Sequence, residues 1–158
     1  MTKPTAYVET TVIGHLVGRM LVDAVVAGRQ KVTRQWWLSA TSTYRLFASR
    51  LVVDECGAGD RDAAAERLAI LDSLEFLAAS SDANRLAEKL IAGHAIPETE
   101  PRDALHISLA AVNGMEYLVT WNFKHIANAT TRTAIEMICR NAGFEPPIIC
   151  TPDELSEH

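Results

Sequence analysis

Short runs rich in β-branched and aromatic residues alternate along this chain with longer stretches whose apolar residues recur at helical spacing. That alternation restricts the fold more than any other feature. Strands are expected at 5–13, where the strand runs into a turn, and at 44–48, 75–78, 117–121 and 146–150. Between them, 14–27 reads as a helix that Gly28 is placed to stop, and 33–38, with Trp36 and Trp37, as a second helical segment. Ser49 and Asp60 are plausible caps for helices that follow them, the first carrying Leu51, Val52 and Glu55 and ending at Gly57 and Gly59. Further helices are expected at 82–92, at 132–141, and from Pro101 to Gly114, where proline suits a first turn. Strands separated by helices pair in parallel, because a parallel pair needs a long crossover, and such sheets are covered on both faces. The expectation is one α/β domain over 1–150, a parallel-stranded central sheet flanked by helices, with a polar tail over 151–158.

Composition agrees with a single domain. At 158 residues, 48% hydrophobic and 22% charged, the chain has enough apolar surface for one core and no room for a second. No internal repeat or linker interrupts it, and no run approaches the roughly 18 apolar residues of a membrane helix. The opening Met1-Thr2-Lys3-Pro4, soon followed by Glu9, does not fit a secretory signal. Three cysteines, Cys56, Cys139 and Cys150, have no CxxC spacing, which argues against a disulfide framework and a zinc knuckle. A reducing cytoplasm is the expected compartment. The net charge of −5 is unusual for a protein that holds phosphates by charge alone, unless its acidic groups converge on divalent cations that invert the local potential.

In an open parallel sheet, ligands bind beyond the carboxyl ends of the strands. Glu9 and Asn122 fall at such ends, and Asp103 opens a helix near the same rim. Glu9, a charge between Val8 and Val12 in an otherwise apolar segment, is better read as functional than as an ordinary strand-end carboxylate. Glu55, after Asp54 on a helix, fits a solvated face as well as a metal ligand. Asp103 taken alone is better explained as a complement to the helix dipole, worth about 0.3–1 kcal/mol. Asn122 serves equally as a strand-ending turn residue. His106 reads as a core residue, because neither it nor His125 belongs to an HExxH pair, and Trp36 and Trp37 read as packing against the body or a partner. No GxSxG, GxGxxG or P-loop is present.

Four segments, in order, are similar to the motifs of PIN domains: Tyr7-Val8-Glu9-Thr10-Thr11, Ser49-Arg50-Leu51-Val52-Val53-Asp54-Glu55, Asp103-Ala104-Leu105-His106-Ile107, and Tyr117-Leu118-Val119-Thr120-Trp121-Asn122. The resemblance spans nearly the whole chain and is strongest to VapC-like proteins whose first motif reads Glu-Thr-Thr and last Thr-Trp-Asn. It implies an endoribonuclease fold that binds Mg²⁺ or Mn²⁺, often dimeric and often the toxin of a toxin–antitoxin pair. By position, Glu9, Glu55 and Asp103 match the family's acidic metal ligands, and Asn122 matches a fourth site that is usually Asp. Glu9 in place of the commoner Asp lengthens the reach by a methylene, and Asn122 removes a negative charge.

The resulting expectation is a metal-dependent ribonuclease. Glu9 and Asp103 ligate the cation, Glu55 ligates it or orients the attacking water, and Asn122 positions water or phosphate. Thr10, Thr11 and Thr120 supply hydrogen bonds around the site, and Arg19, Arg50, Arg102 and Lys124 contact the RNA backbone. RNA, an antitoxin protein and a second copy of the chain are the expected partners. The alternative is a PIN-like module that holds RNA or a protein without cutting.

Overall fold

The structure is a computed structural model and describes residues 2–156. Its elements are β1 (Thr5–Val8), α1 (Thr10–Leu16), α2 (Ala24–Thr43), β2 (Arg45–Ala48), α3 (Arg50–Cys56), α4 (Arg61–Leu71), β3 (Glu75–Phe76), α5 (Ser81–Ala92), α6 (Pro101–Val112), β4 (Tyr117–Val119), α7 (Ala129–Asn141) and β5 (Ile148–Cys150), followed by a 3-10 turn (Pro152–Leu155). All neighbouring strands pair in parallel in the order β3-β2-β1-β4-β5, so the sheet is the one the alternation implied. Tyr7 of β1 lies opposite Phe47 on one side and Leu118 on the other. β1 is central and wholly apolar in its burial, with Ala6, Tyr7 and Val8 at 0% exposure. Helix α1 packs against α2, α3 and α4, and α5 packs against α6 and α7.

The order of the strands locates a crevice. From β1 the chain steps outward to β2 and β3, then returns across the sheet to place β4 on the other side of β1. Connections leaving β1 and β4 therefore diverge at their carboxyl ends, the place where open α/β sheets bind ligands. Glu9 follows β1 there, and Thr120 and Asn122 follow β4.

Several expected boundaries move, each for a visible reason. The strand expected over 5–13 stops at Val8, and Thr10 begins a helix despite the β-branched run Thr10-Thr11-Val12-Ile13. Tertiary contacts override propensity here: the Thr10 hydroxyl bonds Glu55, the Thr11 oxygen accepts the Trp121 N–H, and Val12 and Ile13 are buried. The helix expected over 14–27 breaks after Leu16 because the Arg34 guanidinium donates to the carbonyls of His15, Val17 and Gly18, holding the chain in a loop. Asp23, accepting from the Val26 amide, caps a new helix in which Gly28 is an interior residue and not a stop. That helix also absorbs 33–38. Strand β4 ends at Val119, and α7 starts at Ala129 because Asn128 caps it. Ser49 and Asp60 cap α3 and α4 as their sequence positions suggested. After β5, Thr151 and Pro152 are buried, and the 3-10 turn packs on α2.

Candidate active site at the carboxyl ends of β1 and β4

Glu9 sits between β1 and α1, its backbone N–H closing the last rung of the sheet on the Val119 carbonyl at 3.1 Å. The side chain is only 3% exposed and does not cap α1. One of its oxygens, Oε1, accepts the hydroxyls of Thr11 at 2.5 Å and Thr120 at 2.6 Å. Both hydroxyls are aimed from behind: the Thr11 oxygen accepts the Trp121 N–H, and the Thr120 oxygen accepts the Asn122 N–H, each at 2.9 Å. With its lone pairs engaged by backbone, each threonine has its proton directed at Glu9. The carboxylate is oriented before anything binds.

Glu55 approaches from α3 and is arranged alike. Its Oε1 accepts the Thr10 hydroxyl and lies against His106 Nε2, both at 2.6 Å. Burial pushes the Glu55 carboxyl up, but the hydrogen bond of His106, the Thr10 hydroxyl and the nearby Arg102 outweigh it, leaving the group below the ordinary carboxylate range. In both glutamates the second oxygen, Oε2, has no hydrogen-bond partner among the described residues. Nor does any lysine or arginine among them form an ion pair with Glu9, Glu55 or Asp103. Single ligand atoms from Glu9, Glu55 and His106 all lie within 4.8 Å of one another.

Asp103 lies half-buried in the first turn of α6 and belongs to a neighbouring group with Glu100 and His125, again within 4.8 Å. Burial raises its carboxyl above the ordinary aspartate value, although Asn122, His106 and His125 pull it down. His106, three residues and one helical turn after Asp103 on α6, touches Glu55 of the first group and acts on Asp103 of the second. Asn122 serves as the turn residue of one sequence reading, its oxygen accepting the His125 N–H at 3.0 Å, and its side chain is near enough to pull the Asp103 carboxyl down. The four residues Glu9, Glu55, Asp103 and Asn122 thus come together as two adjacent pairings, not as one compact cluster.

The basic residues divide. Arg102 is close enough to influence Glu55, and Lys124 lines a cavity of about 430 Å³ with His94, His125 and Thr131 beside the Asp103 group. Arg50 is paired with Asp54 at 3.1 Å in solvent, and exposed Arg19 lies in the loop before α2, its carbonyl held by Gln30. Nothing in the structure ties these two to the carboxylates. His106 corrects the sequence reading in kind: it is buried, as a core residue is, but through polar bonds to Tyr7 and Glu55. The i, i+3 spacing from Asp103 was the signal that could have placed it on the site's face. Trp36 is 2% exposed and packs edge-on to Trp37, so it belongs to the chain's own core and is no interface anchor.

No family model and no curated protein matches the sequence. Among solved structures, the chain is similar to VapC20 of Mycobacterium tuberculosis, described as a sarcin-ricin loop cleaving toxin. The superposition has a TM-score of 0.57 and covers 90% of this chain and 100% of that one, at 18% identity. The fold is PIN-like. Identity at that level speaks for the backbone arrangement, so what the PIN-like site of this chain can do rests on its own side chains. Their chemistry suits a hard divalent cation: carboxylate oxygens, two of them oriented and otherwise unbonded, with no lysine or arginine among the described residues ion-paired to them. Among the described residues, no helix is long and apolar enough to cross a membrane.

Proposed function

We propose that this PIN-like protein is a metal-dependent endoribonuclease that hydrolyses RNA phosphodiester bonds. The observation that carries the reading is the pair of pre-oriented glutamates, Glu9 and Glu55, each with one uncommitted oxygen and, among the described residues, no lysine or arginine ion-paired to it, at the sheet's crevice beside Asp103. Carboxylates brought together without counter-charge are costly, and a bound cation removes that cost. Glu9, Glu55 and Asp103 would hold Mg²⁺ or Mn²⁺, which when bound supplies an activated water and charge stabilisation at the phosphate. Glu55, kept ionised, either ligates directly or accepts a hydrogen bond from the attacking water. Asn122, its oxygen engaged by His125, offers its amide toward Asp103 and a phosphate oxygen. Arg102 and Lys124 flank the crevice on the sides where an RNA backbone would enter and leave.

The description of VapC20 as a loop-cleaving toxin supports RNA as the substrate class and a toxin role, to which the proposal adds an antitoxin protein as partner and a cytoplasmic location. A second copy of the chain would meet the exposed apolar residues around α2, where Val22, Val25 and Leu38 are 102%, 62% and 76% exposed. The decisive experiment is cleavage of a mixed RNA pool with Mn²⁺, with EDTA, and with Asp103→Ala. Cutting that depends on Mn²⁺ and is lost in Asp103→Ala is the expected result; equal cutting in EDTA overturns the proposal. Binding of RNA without cutting would favour the alternative of a PIN-like RNA-holding module, which the neutral Asn122 beside Asp103 supports.

A further inference from the structure

Behind Glu55 runs a buried polar chain: Ser49, Tyr7 and His106 are 1%, 0% and 0% exposed. The Val52 N–H donates to Ser49 Oγ at 3.3 Å, Ser49 Oγ meets the Tyr7 phenol at 2.7 Å, the phenol meets His106 Nδ1 at 2.7 Å, and His106 Nε2 meets Glu55 at 2.6 Å. Its direction follows from counting protons. Among the described residues, Ser49 Oγ accepts from a backbone N–H and has only Tyr7 as a further hydrogen-bond partner, so its own hydroxyl proton, buried, must go to Tyr7. Tyr7 then accepts from Ser49, and its proton must go to His106 Nδ1. An Nδ1 that accepts carries no proton, so the ring's proton is on Nε2, pointed at the Glu55 carboxylate.

We propose that His106 is a positioning residue for Glu55, its Nε2–H tautomer set from the cap of α3 through Ser49 and Tyr7. The inference rests on the reading of Glu55 as part of a cation site and adds to it a residue that touches neither cation nor RNA. The imidazole and the Thr10 hydroxyl occupy the same glutamate oxygen, so the side chain is rotated to leave Oε2 as the free ligand atom. No other arrangement of these protons leaves every buried donor satisfied. Ser49 caps the very helix that carries Glu55, so helix position and carboxylate orientation are set by one hydroxyl.

Two substitutions separate the contacts of the ring. His106→Asn places an amide near the Nδ1 position, keeping Tyr7 and losing Glu55, whereas His106→Gln reaches the Nε2 position and keeps Glu55. The full chain is titrated with Mn²⁺ by calorimetry as wild type, His106→Asn, His106→Gln, Tyr7→Phe and Glu55→Gln, and the ring nitrogens of histidine-labelled wild type are read by NMR. Expected are an Nε2–H tautomer for His106, a loss of about 10–100-fold in Mn²⁺ affinity for His106→Asn, the range for removing a partner that orients a metal ligand, and recovery in His106→Gln. Tyr7→Phe weakens affinity less than His106→Asn, since it frees the tautomer and leaves the ring in place. A loss in Glu55→Gln alongside wild-type affinity in His106→Asn overturns the inference alone, as does an Nδ1–H tautomer. Unchanged affinity in both variants overturns the cation reading of the site, and the inference with it.

Discussion

Asp103 and Asn122 test each other. Asp103 is held above its ordinary pKa chiefly by burial, so the folded protein binds that proton more tightly than the unfolded chain does. Stability from this group is therefore greatest in acid and falls as pH rises from the unfolded aspartate value through the raised folded one. At neutral pH the ionised carboxylate is a liability that exceeds its favourable place at a helix N-terminus. Asp103→Asn is accordingly expected to leave the melting temperature at pH 7 unchanged or raise it by about 1–3 °C, a gain that disappears near pH 4, while Mn²⁺ affinity falls. Unfolding of the variant at pH 7 would mean that Asp103 is a structural cap. The converse change, Asn122→Asp, replaces an amide that lowers the Asp103 carboxyl by a second charge. In EDTA it should lower the melting temperature by roughly 2–6 °C, and Mn²⁺ should reverse the loss and bind more tightly than to wild type, with no loss of RNA cleavage. Calorimetric affinity that does not change places Asn122 outside the site.

Helix α2 divides its apolar residues between two environments. Trp36 faces inward against Trp37 and Tyr44, and Trp121 donates its indole N–H to the Thr33 hydroxyl at 2.8 Å, tying α2 to the loop that follows β4. Removing the indole by Trp36→Ala empties core volume and should cost about 3–5 kcal/mol in denaturant unfolding. Leu38 on the same helix is exposed and borders a groove of about 720 Å³ with Met20 and Val32, well away from the carboxylates. Leu38→Ser should change monomer stability by less than about 0.5 kcal/mol yet weaken self-association in sedimentation, if the α2 face meets a second copy. A wild type that stays strictly monomeric at high concentration removes that role from the face.

The whole molecule carries −5, a total that includes the crevice carboxylates, so the proposed RNA binding would depend on a few local cations and on the proposed divalent ion. Arg102 and Lys124 are the two expected phosphate contacts beside the site, and Arg19 and Arg50 are not. Replacing Lys124 by Ala should raise KM more than it lowers kcat, and should reduce the salt dependence of single-stranded RNA binding by a slope of about 0.7. Arg50→Ala serves as the comparison and is expected to leave that slope unchanged. Equal effects of the two would place the RNA elsewhere on the surface.

What the sequence determined by itself was the part that local physics encodes. Strand and helix alternation predicted a parallel α/β sheet, Ser49 and Asp60 announced their helices, and a charge at Glu9 inside an apolar segment pointed to the crevice, because period, capping and burial act over a few residues. The tertiary structure alone decided the rest. Thr10 and Thr11 are helical because the Thr10 hydroxyl finds Glu55 and the Thr11 oxygen finds the Trp121 N–H across the fold, α1 stops where Arg34 of the next helix gathers its last carbonyls, and His106 is a partner of Glu55 because Tyr7 and Ser49 leave its ring no other way to place a proton. Bonds between residues this far apart in the chain have no local spacing by which to be read. They exist only once the sheet has brought β1, α3 and α6 to a single rim.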